Sequence, residues 1–218
     1  MLSLDIMYKK IALFLIGVGL FCAFVLFSYV VHRNTFTNID FDTTVKLQDK
    51  VPRIVDSFFS LLSDVGSFEI TGIIILCIIG FLFWQRNFLA GVLVFVIFGI
   101  FHTIEIFGKI FVDHLPPPQF MIRTKDQLSF PQFDVRQQNS YPSGHVGRAA
   151  FLTALLFFIV VFSKRLSWIQ KVLIIGILVM YDIAMFTSRI YLGEHWLSDV
   201  IGGAVLGFAF AFFTAISL

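Results

Sequence analysis

The sequence predicts an all-α, polytopic membrane protein: a bundle of six transmembrane helices with a short interfacial helix on its outer side. The first observation is composition, because the mean hydropathy is +0.89 and only 14% of the residues are charged. A water-soluble domain of this size needs more charge to cover its core. The second is that six apolar stretches are long enough to cross a hydrocarbon layer of about 30 Å at roughly 1.5 Å per residue.

The six predicted spans follow one another without a domain boundary, so residues 1–218 are expected to form a single domain. The first is interpreted as a retained helix rather than a signal peptide, because its apolar run is about twenty residues long and no small-residue cleavage site follows it. The second and fifth are short and could extend into flanking residues. The spans are Ile11 to Val31, Phe68 to Trp84, Phe88 to Phe107, His145 to Phe162, Val172 to Phe186, and Trp196 to Ser217.

A short helix is predicted between the first two spans, in the stretch "VPRIVDSFFSLLSDVG". Its apolar residues recur at helical spacing, and Pro52 suits a first turn. We expect this helix to lie at the outer interface, where it caps the bundle and turns its polar face toward water. That polar face consists of Asp56, Ser57, Ser60 and Asp64.

Gly203 and Gly207 in the last span form a pattern of small residues four positions apart. In lipid this pattern lets two helices approach closely. It predicts packing inside the bundle, with dimerisation as the alternative.

The basic residues of the short loops predict the orientation in the membrane, because lysine and arginine concentrate on the cytoplasmic side. We therefore expect a protein of the cell membrane with both termini in the cytoplasm and with residues 32–67 and 108–144 outside. A net charge of +2 without a basic run indicates membrane lipids, not nucleic acid, as partners. The basic loop residues are Lys9, Lys10, Arg86, Lys164, Arg165 and Lys171.

Three polar clusters lie at the same, outer end of the predicted helices. They are "EIFGKIFVDHLPPPQFMIR" after the third span, "YPSGHVGR" at the start of the fourth, and "SRIYLGEHWLSD" between the fifth and sixth. A folded bundle brings them to one depth. Charged groups beside hydrocarbon are costly and are usually functional, so this layer is the candidate active site.

The clusters contain residue types that bind phosphate. Lys109, Arg123 and Arg189 are cations. Ser143 and Gly144 open the fourth span, whose first backbone N–H groups have no partner within the helix and attract anions. Cations around a helix start predict a phosphate site, and the membrane setting predicts a lipid that carries the phosphate.

Two histidines complete the predicted chemistry. His195 and Asp199 are four residues apart and share a helix face, so the carboxylate can orient the ring and leave its other nitrogen free as a nucleophile. His145 follows the helix start and can protonate a leaving oxygen as general acid. These roles predict phosphoryl transfer through a phosphohistidine without metal or cofactor, because the surrounding cations would repel a metal such as zinc. The remaining histidines, interpreted as hydrogen-bonded structural residues, are His32, His102 and His114.

The clusters resemble the signature of the type 2 phosphatidic acid phosphatase superfamily, also called lipid phosphate phosphatases. "PSGH" at residues 142–145 matches the second block of that signature in full. "SRIYLGEHWLSD" matches the third block at Ser188, Arg189, His195 and Asp199. Together these two matches are specific, and the resemblance covers the chain from about Phe88 to its end.

The first block departs from the pattern. Lys109 is present, but Pro116 stands where the family has arginine. Arg123 is the nearest candidate to replace that cation, with Arg136 behind it, and His114 could also contribute.

The resemblance implies hydrolysis of a lipid phosphate or diphosphate without a metal. Undecaprenyl diphosphate, phosphatidylglycerol phosphate and phosphatidic acid are the candidate substrates, and the sequence does not choose among them. By resemblance His195 is the nucleophile, Asp199 its orienting partner and His145 the general acid. The residues that hold the phosphate oxygens are then Lys109, Ser143, Gly144 and Arg189.

Three alternatives stay open. The phosphohistidine could pass its phosphoryl group to another lipid or sugar. A transporter would line the middle of its spans with charge, and an inactive relative would only bind lipid phosphate. The oligomeric state is open, with a monomer allowed. An ion pair of Glu105 with Lys109 one turn later would lower the cost of burying both, so Glu105 is interpreted as structural, with tuning of Lys109 as the alternative. The sequence does not settle the partner of Glu105 or that of Asp182 in the fifth span.

Overall fold

The computed structural model describes residues 2–124 and 139–218. Within these ranges the chain is all-α: it forms eight α-helices and no strand. Short 3₁₀ turns at Arg53–Val55 and Gln119–Met121 join some of them. The helices are α1 (Leu2–His32), α2 (Thr37–Lys50), α3 (Asp56–Val65), α4 (Phe68–Trp84), α5 (Phe88–Phe111), α6 (Gly144–Phe162), α7 (Trp168–Tyr191) and α8 (Leu197–Ala215).

The helices make this a multi-pass membrane protein. Among the described residues, α5, α6, α7, α8 and the part of α1 from Ile6 are long and apolar enough to cross a membrane. The 17-residue α4 passes the same test when it is joined to Arg53–Val65 across a bend of 47°. Five of the six predicted spans are therefore present as single helices, and the second is present when α4 and Arg53–Val65 count as one bent span. α7 extends well beyond the predicted fifth span at both ends.

α6 and α8 form the centre of the bundle. In each of them 67% of the most apolar window is buried inside the protein, against 11% in α1 and 6% in α7. Stacked and edge-on rings of Phe101, Phe151 and Phe210 join α5, α6 and α8 at centroid distances of 6.0 and 6.2 Å. The peripheral helices instead present most of their side chains to lipid.

The two glycines of α8 allow this central contact. A Cβ at Gly203 would lie 2.4 Å from the carbonyl oxygen of Ser143, and one at Gly207 would lie 2.2 Å from that of Gly147. Real Cβ atoms do not approach so closely, so only glycine lets the two backbones meet here. The prediction that these glycines pack within the bundle is confirmed.

α2 is a helix that the sequence analysis did not predict. It is polar and lies at the end of the bundle that carries the three clusters. The Gln48 side-chain amide donates to the carbonyl oxygens of Met121, at 2.7 Å, and Tyr191, at 2.8 Å. These bonds tie α2 to the loop after α5 and to the end of α7.

α3 confirms the predicted short helix, but the predicted direction of its polar face is wrong. Asp56 and Ser60 are 5% and 1% exposed, whereas Ile54 just before the helix and Phe58 within it are 86% and 60% exposed. Of the predicted polar face, Asp56 and Ser60 pack on the protein, Asp64 is half-buried and Ser57 is exposed, while Ile54 and Phe58 face outward. The physical reason is that the protein interior at this level is a polar site while the surroundings are lipid, which reverses the usual arrangement of an amphipathic helix.

Both chain ends lie at the opposite end of the bundle from the clusters. His32, at the end of α1, accepts a hydrogen bond of 3.2 Å from the backbone N–H of Asp113, just after α5. Phe14, in the first half of α1, packs on Phe213 near the end of α8 with ring centroids 5.9 Å apart. The start of α1 and the end of α8 are therefore neighbours.

Candidate active site

The fold brings the three predicted clusters together at the junction of α5, α6, α7 and α8. The backbone N–H of Ser143, which precedes α6, donates to the carbonyl oxygen of Asp199 in α8 at 3.0 Å. Electrostatic contacts link His145 to Lys109, Arg189 and His195, one from each neighbouring element. The charged residues of the three clusters lie at one end of the helices. A transport pathway would instead place charges along the middle of the spans.

His195 and Asp199 form the predicted pair. The ring Nδ1 of His195 is 3.3 Å from Oδ2 of Asp199, which also accepts the backbone N–H of Trp196 at 3.0 Å. His195 is 8% exposed and Asp199 is fully buried. Burial lowers the pKa of His195, Arg189 and Lys109 lower it further, and the Asp199 hydrogen bond only partly offsets them. The ring is therefore neutral at physiological pH, and Nε2 is the ring nitrogen that does not face the Asp199 carboxylate.

Asp199 has a second histidine partner, His114. Its Nδ1 lies 2.8 Å from Oδ1 of Asp199, and its Nε2 lies 3.6 Å from Oδ2 of Asp40 in α2. Asp40 also accepts the backbone N–H and the hydroxyl of Ser198, at 2.8 and 2.7 Å. His114 is thus a hydrogen-bonded residue, as predicted, but its partner is the carboxylate that orients His195.

The start of α6 has the features of an anion cradle. Ser143 occupies the N-cap position but makes no capping bond through its side chain, and its hydroxyl is buried without a partner. An N-cap serine normally satisfies one of the first N–H groups of its helix. Here these N–H groups and the serine hydroxyl are both available to a ligand.

Two arginines also carry buried donor atoms without a protein partner. They are Nε of Arg189 and one terminal nitrogen of Arg123. Buried donors are nearly always hydrogen-bonded in folded proteins, so unpaired donors on Ser143, Arg189 and Arg123 mark places for an acceptor-rich ligand. All three residues were predicted to bind phosphate.

Arg189 is held from two sides. One terminal nitrogen donates to the hydroxyl of Ser63 in α3, and the other pairs with the carboxylate of Glu194. Glu194 in turn accepts the hydroxyl of Thr124. Burial raises the pKa of Glu194, but Arg189 and Thr124 outweigh it and lower that pKa below the usual value. The ionised carboxylate of Glu194 is therefore paired with Arg189, the arginine predicted to bind phosphate.

Lys109 and Glu105 are both at this junction, but among the described residues each has another direct partner. Glu105 pairs with Arg148 of α6 at 3.3 Å and with His102 at 3.1 Å. Lys109 instead donates to the carbonyl oxygen of Ser140 at 3.5 Å. Arg148 competes successfully because it lies on the facing helix, where its guanidinium reaches the buried carboxylate directly.

Glu105 also shapes the start of α6. A Cβ at Gly144 would lie 1.9 Å from Oε1 of Glu105 and 2.8 Å from a terminal nitrogen of Arg148. Only glycine fits between the helix start and this ion pair. The same arginine donates to the carbonyl oxygen of Gly66 at 3.0 Å, which ties α6 to the bend before α4.

Arg123 lies at the edge of the site. Its guanidinium is 5.1 Å from the centre of the Tyr191 ring, and its backbone N–H donates to the carbonyl oxygen of Leu192 at 2.8 Å. The main electrostatic effects on His145 and His195 come from nearer groups, which include Arg189 and Lys109. Arg136, the further candidate for the missing cation, lies outside the described residues.

Asp182, whose partner the sequence did not name, is bonded to Thr153. The threonine hydroxyl lies 2.9 and 3.1 Å from the two carboxylate oxygens. Both residues border a cavity of about 240 Å³ between α6, α7 and α8. This pair lies within the spans, away from the three clusters.

A profile of the PAP2 superfamily, the type 2 phosphatidic acid phosphatases, matches residues 87–218. The chain belongs to the PAP2 superfamily. The matched range contains all three clusters, so the resemblance seen in the motifs extends through α5 to α8 of this PAP2 protein.

Solved structures have the same fold. The PAP2-type phosphatidylglycerolphosphate phosphatase of Bacillus subtilis superimposes with a TM-score of 0.73 at 22% identity, over 91% of this chain and 93% of that one. LpxE of Aquifex aeolicus superimposes with a TM-score of 0.55 at 23% identity, over 81% of this chain and 94% of that one. At these identities the similarity establishes the PAP2 fold.

Two characterised relatives match over shorter stretches. The dihydrosphingosine 1-phosphate phosphatase of Saccharomyces cerevisiae is 28% identical over 91 residues, or 42% of this chain and 22% of its own length. The lipid A 1-phosphatase of Porphyromonas gingivalis is 42% identical over 71 residues, or 32% of this chain and 14% of its own length. The match thus covers less than a quarter of each of these longer relatives.

The site contains residues that sequence reasoning missed. Asp40 and Ser63 lie on the two helices between the first spans, far in sequence from any motif. Glu194 and Arg148 lie inside the quoted motifs, yet they received no role. Arg148 could have been identified from the sequence, because it is a charged residue within an otherwise apolar helix.

Proposed function

We propose that this protein is a lipid phosphatase that hydrolyses a phosphate or diphosphate group through a phosphohistidine on His195. One observation carries the proposal. A neutral histidine bonded to a buried aspartate lies beside a helix start whose serine hydroxyl is buried without a partner. A nucleophile and an anion cradle in one place define phosphoryl-transfer chemistry.

In the first step, Nε2 of His195 attacks phosphorus and the bond to the lipid oxygen breaks. Asp199 accepts the Nδ1 hydrogen bond and stabilises the positive charge that forms on the ring. Lys109, Arg189 and the start of α6 stabilise the charge on the phosphate oxygens. The leaving oxygen takes its proton from His145.

In the second step, water attacks the phosphohistidine and His145 takes the proton of that water. The phosphoryl group leaves as inorganic phosphate, and His195 returns to its neutral form. Each step uses only side chains, so the proposal includes no metal. The unpaired Nε of Arg189 is available to the phosphate, while a terminal nitrogen of the same guanidinium pairs with Glu194.

The position of α3 supports a lipid substrate. This helix exposes Phe58 and Leu61, 60% and 51% exposed, while its Ser63 contacts Arg189. The phosphate-binding arginine is therefore one helix away from the surrounding lipid. An acyl or prenyl tail can stay in the bilayer while its headgroup reaches His195.

The loop charges support a cell-membrane location with the site on the outer face and both termini in the cytoplasm. His32 and Asp113, at the site end, lie far from the basic loops that contain Lys164 and Arg165. A lipid phosphate in the outer leaflet is then the accessible substrate.

The test is release of inorganic phosphate in detergent, with a chelator present, from a panel of lipid phosphates. The panel includes phosphatidic acid, phosphatidylglycerol phosphate, undecaprenyl diphosphate, a sphingoid base phosphate and lipid A 1-phosphate. We expect wild-type protein to release phosphate from at least one of them, and His195→Ala to lose at least about 10³-fold in kcat. His32→Gln is the matched control and should keep wild-type activity.

Two results would overturn this function. The first is phosphate release that the chelator abolishes, because the proposed steps use no metal. The second is equal activity of wild type and His195→Ala. Transfer to an added lipid or sugar in place of release to water would assign the phosphotransferase alternative.

A further inference from the structure

His114 lies between two carboxylates from different helices. Its Nδ1 is 2.8 Å from Asp199 and its Nε2 is 3.6 Å from Asp40. The ring is only 6% exposed. A neutral imidazole has one N–H, whereas the imidazolium has one on each nitrogen, so the protonated form matches both neighbours.

His114 contacts one of the two carboxylate oxygens of Asp199, the residue that orients the proposed nucleophile His195. Oδ1 of Asp199 faces His114 at 2.8 Å, which leaves Oδ2 for His195 at 3.3 Å and for the backbone N–H of Trp196 at 3.0 Å. The carboxylate is held from both sides and cannot rotate without losing a bond. The geometry that His195 needs thus depends on His114.

Asp40 anchors the other side of the ring. It is 2% exposed and accepts the backbone N–H and the hydroxyl of Ser198 in the first turn of α8. Without a cation between them, the buried carboxylates of Asp40 and Asp199 would repel each other. His114 therefore joins α2, the loop after α5 and α8 into one charged network.

We propose that His114 is a positioning residue for the reaction: as a cation between Asp40 and Asp199, it holds the Asp199 carboxylate in the orientation that His195 requires. The proposal rests on the phosphatase function proposed above. The positive charge of His114 also lies two residues before Pro116, and position 116 is where the family motif has arginine.

The charge state of His114 supports this role. Burial disfavours the cation, but the hydrogen bond to Asp199 and the nearby carboxylate of Asp40 raise the pKa of His114 to about 9. The other titratable groups around the network are the neutral ring of His195 before α8, Lys109 of α5, which acts on Asp199, and the exposed pair of Asp113 with His32 of α1. His114 is charged below its raised pKa and loses that charge as the pH rises through about 9.

The experiment measures kcat and KM against pH for wild type, His114→Gln, Asp40→Asn and the control His32→Gln. We expect His114→Gln to lose roughly 10- to 100-fold in kcat, with KM within about twofold, because in the proposed role the residue orients the nucleophile and does not bind substrate. Wild-type activity should fall as the pH rises through about 9. Asp40→Asn should move that fall to lower pH, and His32→Gln should match wild type.

The outcomes separate this inference from the function on which it depends. No phosphate release by wild type from any lipid of the panel sinks the proposed function. Release by wild type together with an unchanged kcat in His114→Gln overturns only the positioning role. If His114→Gln does not fold, the other proteins decide: a wild-type profile flat through pH 9, or an alkaline fall that Asp40→Asn does not move, also overturns it.

Discussion

At the scale of single residues, the site end of the bundle depends on buried charges that neutralise one another. Glu105 is 6% exposed and Arg148 is 7% exposed, and the ion pair between them spans α5 and α6. Removing one member leaves the other charge buried without compensation, which costs far more than the pair itself contributes. The sequence showed both charges within apolar runs, but it could not show that the partner of Glu105 is on the facing helix.

Glu105→Ala is therefore expected to lower the free energy of unfolding in detergent by about 3–5 kcal/mol. The matched control is Asp42→Ala, which removes a carboxylate from a pair with Lys46 whose side chains are 63% and 71% exposed. That change should cost at most about 1 kcal/mol. Equal losses in the two variants, measured by denaturant titration, would contradict the structural role of the buried pair.

At the scale of helices, the contact between α6 and α8 determines where the site residues lie. α6 begins at Gly144 with Ser143 before it, and α8 begins just after His195. Close approach at Gly203 and Gly207 keeps the two helix starts side by side. The motif spacing alone predicted helix contact, and the structure identifies α6 as the partner.

Gly207→Ala should push the two helices apart, because its Cβ would meet the Gly147 carbonyl oxygen at 2.2 Å. We expect destabilisation of about 1–3 kcal/mol, seen as a lower thermal unfolding midpoint in detergent. Gly176→Ala in α7 is the control, since nothing lies within 4 Å of its added Cβ. Indistinguishable midpoints for the two variants would refute the close contact.

α3 illustrates a limit of periodicity at this scale. The spacing of Phe58, Leu61 and the serines predicted a helix correctly, because periodicity reports local geometry. It did not determine which face meets the protein. That choice depends on the polarity of the neighbouring elements, and here Arg189 makes the interior the more polar side.

At the scale of the whole molecule, the two ends of the bundle differ in chemistry. One end carries His145, His195, Asp199 and the cations predicted to bind phosphate, and the other carries the start of α1, the end of α8 and the short basic loops. From the positive-inside rule we therefore propose that the site end lies outside the cytoplasm.

Labelling with a membrane-impermeant maleimide tests this orientation. In a background with Cys22→Ser and Cys77→Ser, we expect Asp113→Cys to react in intact cells, because the Asp113 side chain is 79% exposed at the site end. Lys164→Cys, in the exposed loop after α6, should react only after permeabilisation. The reverse pattern would place the site on the cytoplasmic side.

The sequence by itself determined the class of the protein, its spans and the motif residues of the site. These properties follow from local quantities: apolar length decides whether a helix can cross lipid, and spacing of four residues puts His195 and Asp199 on one face. The second and third motif blocks needed no structure for recognition, because their residue types and intervals are specific.

Only the tertiary structure decided which residues complete the site. Asp40, Ser63 and Glu105 reach it from α2, α3 and α5, and no sequence interval relates them to their partners. A buried charge takes whichever partner the packing of helices brings nearest, and that choice depends on the whole bundle. The sequence therefore indicated only a structural role for His114, whereas the packing of the helices makes it a partner of Asp199.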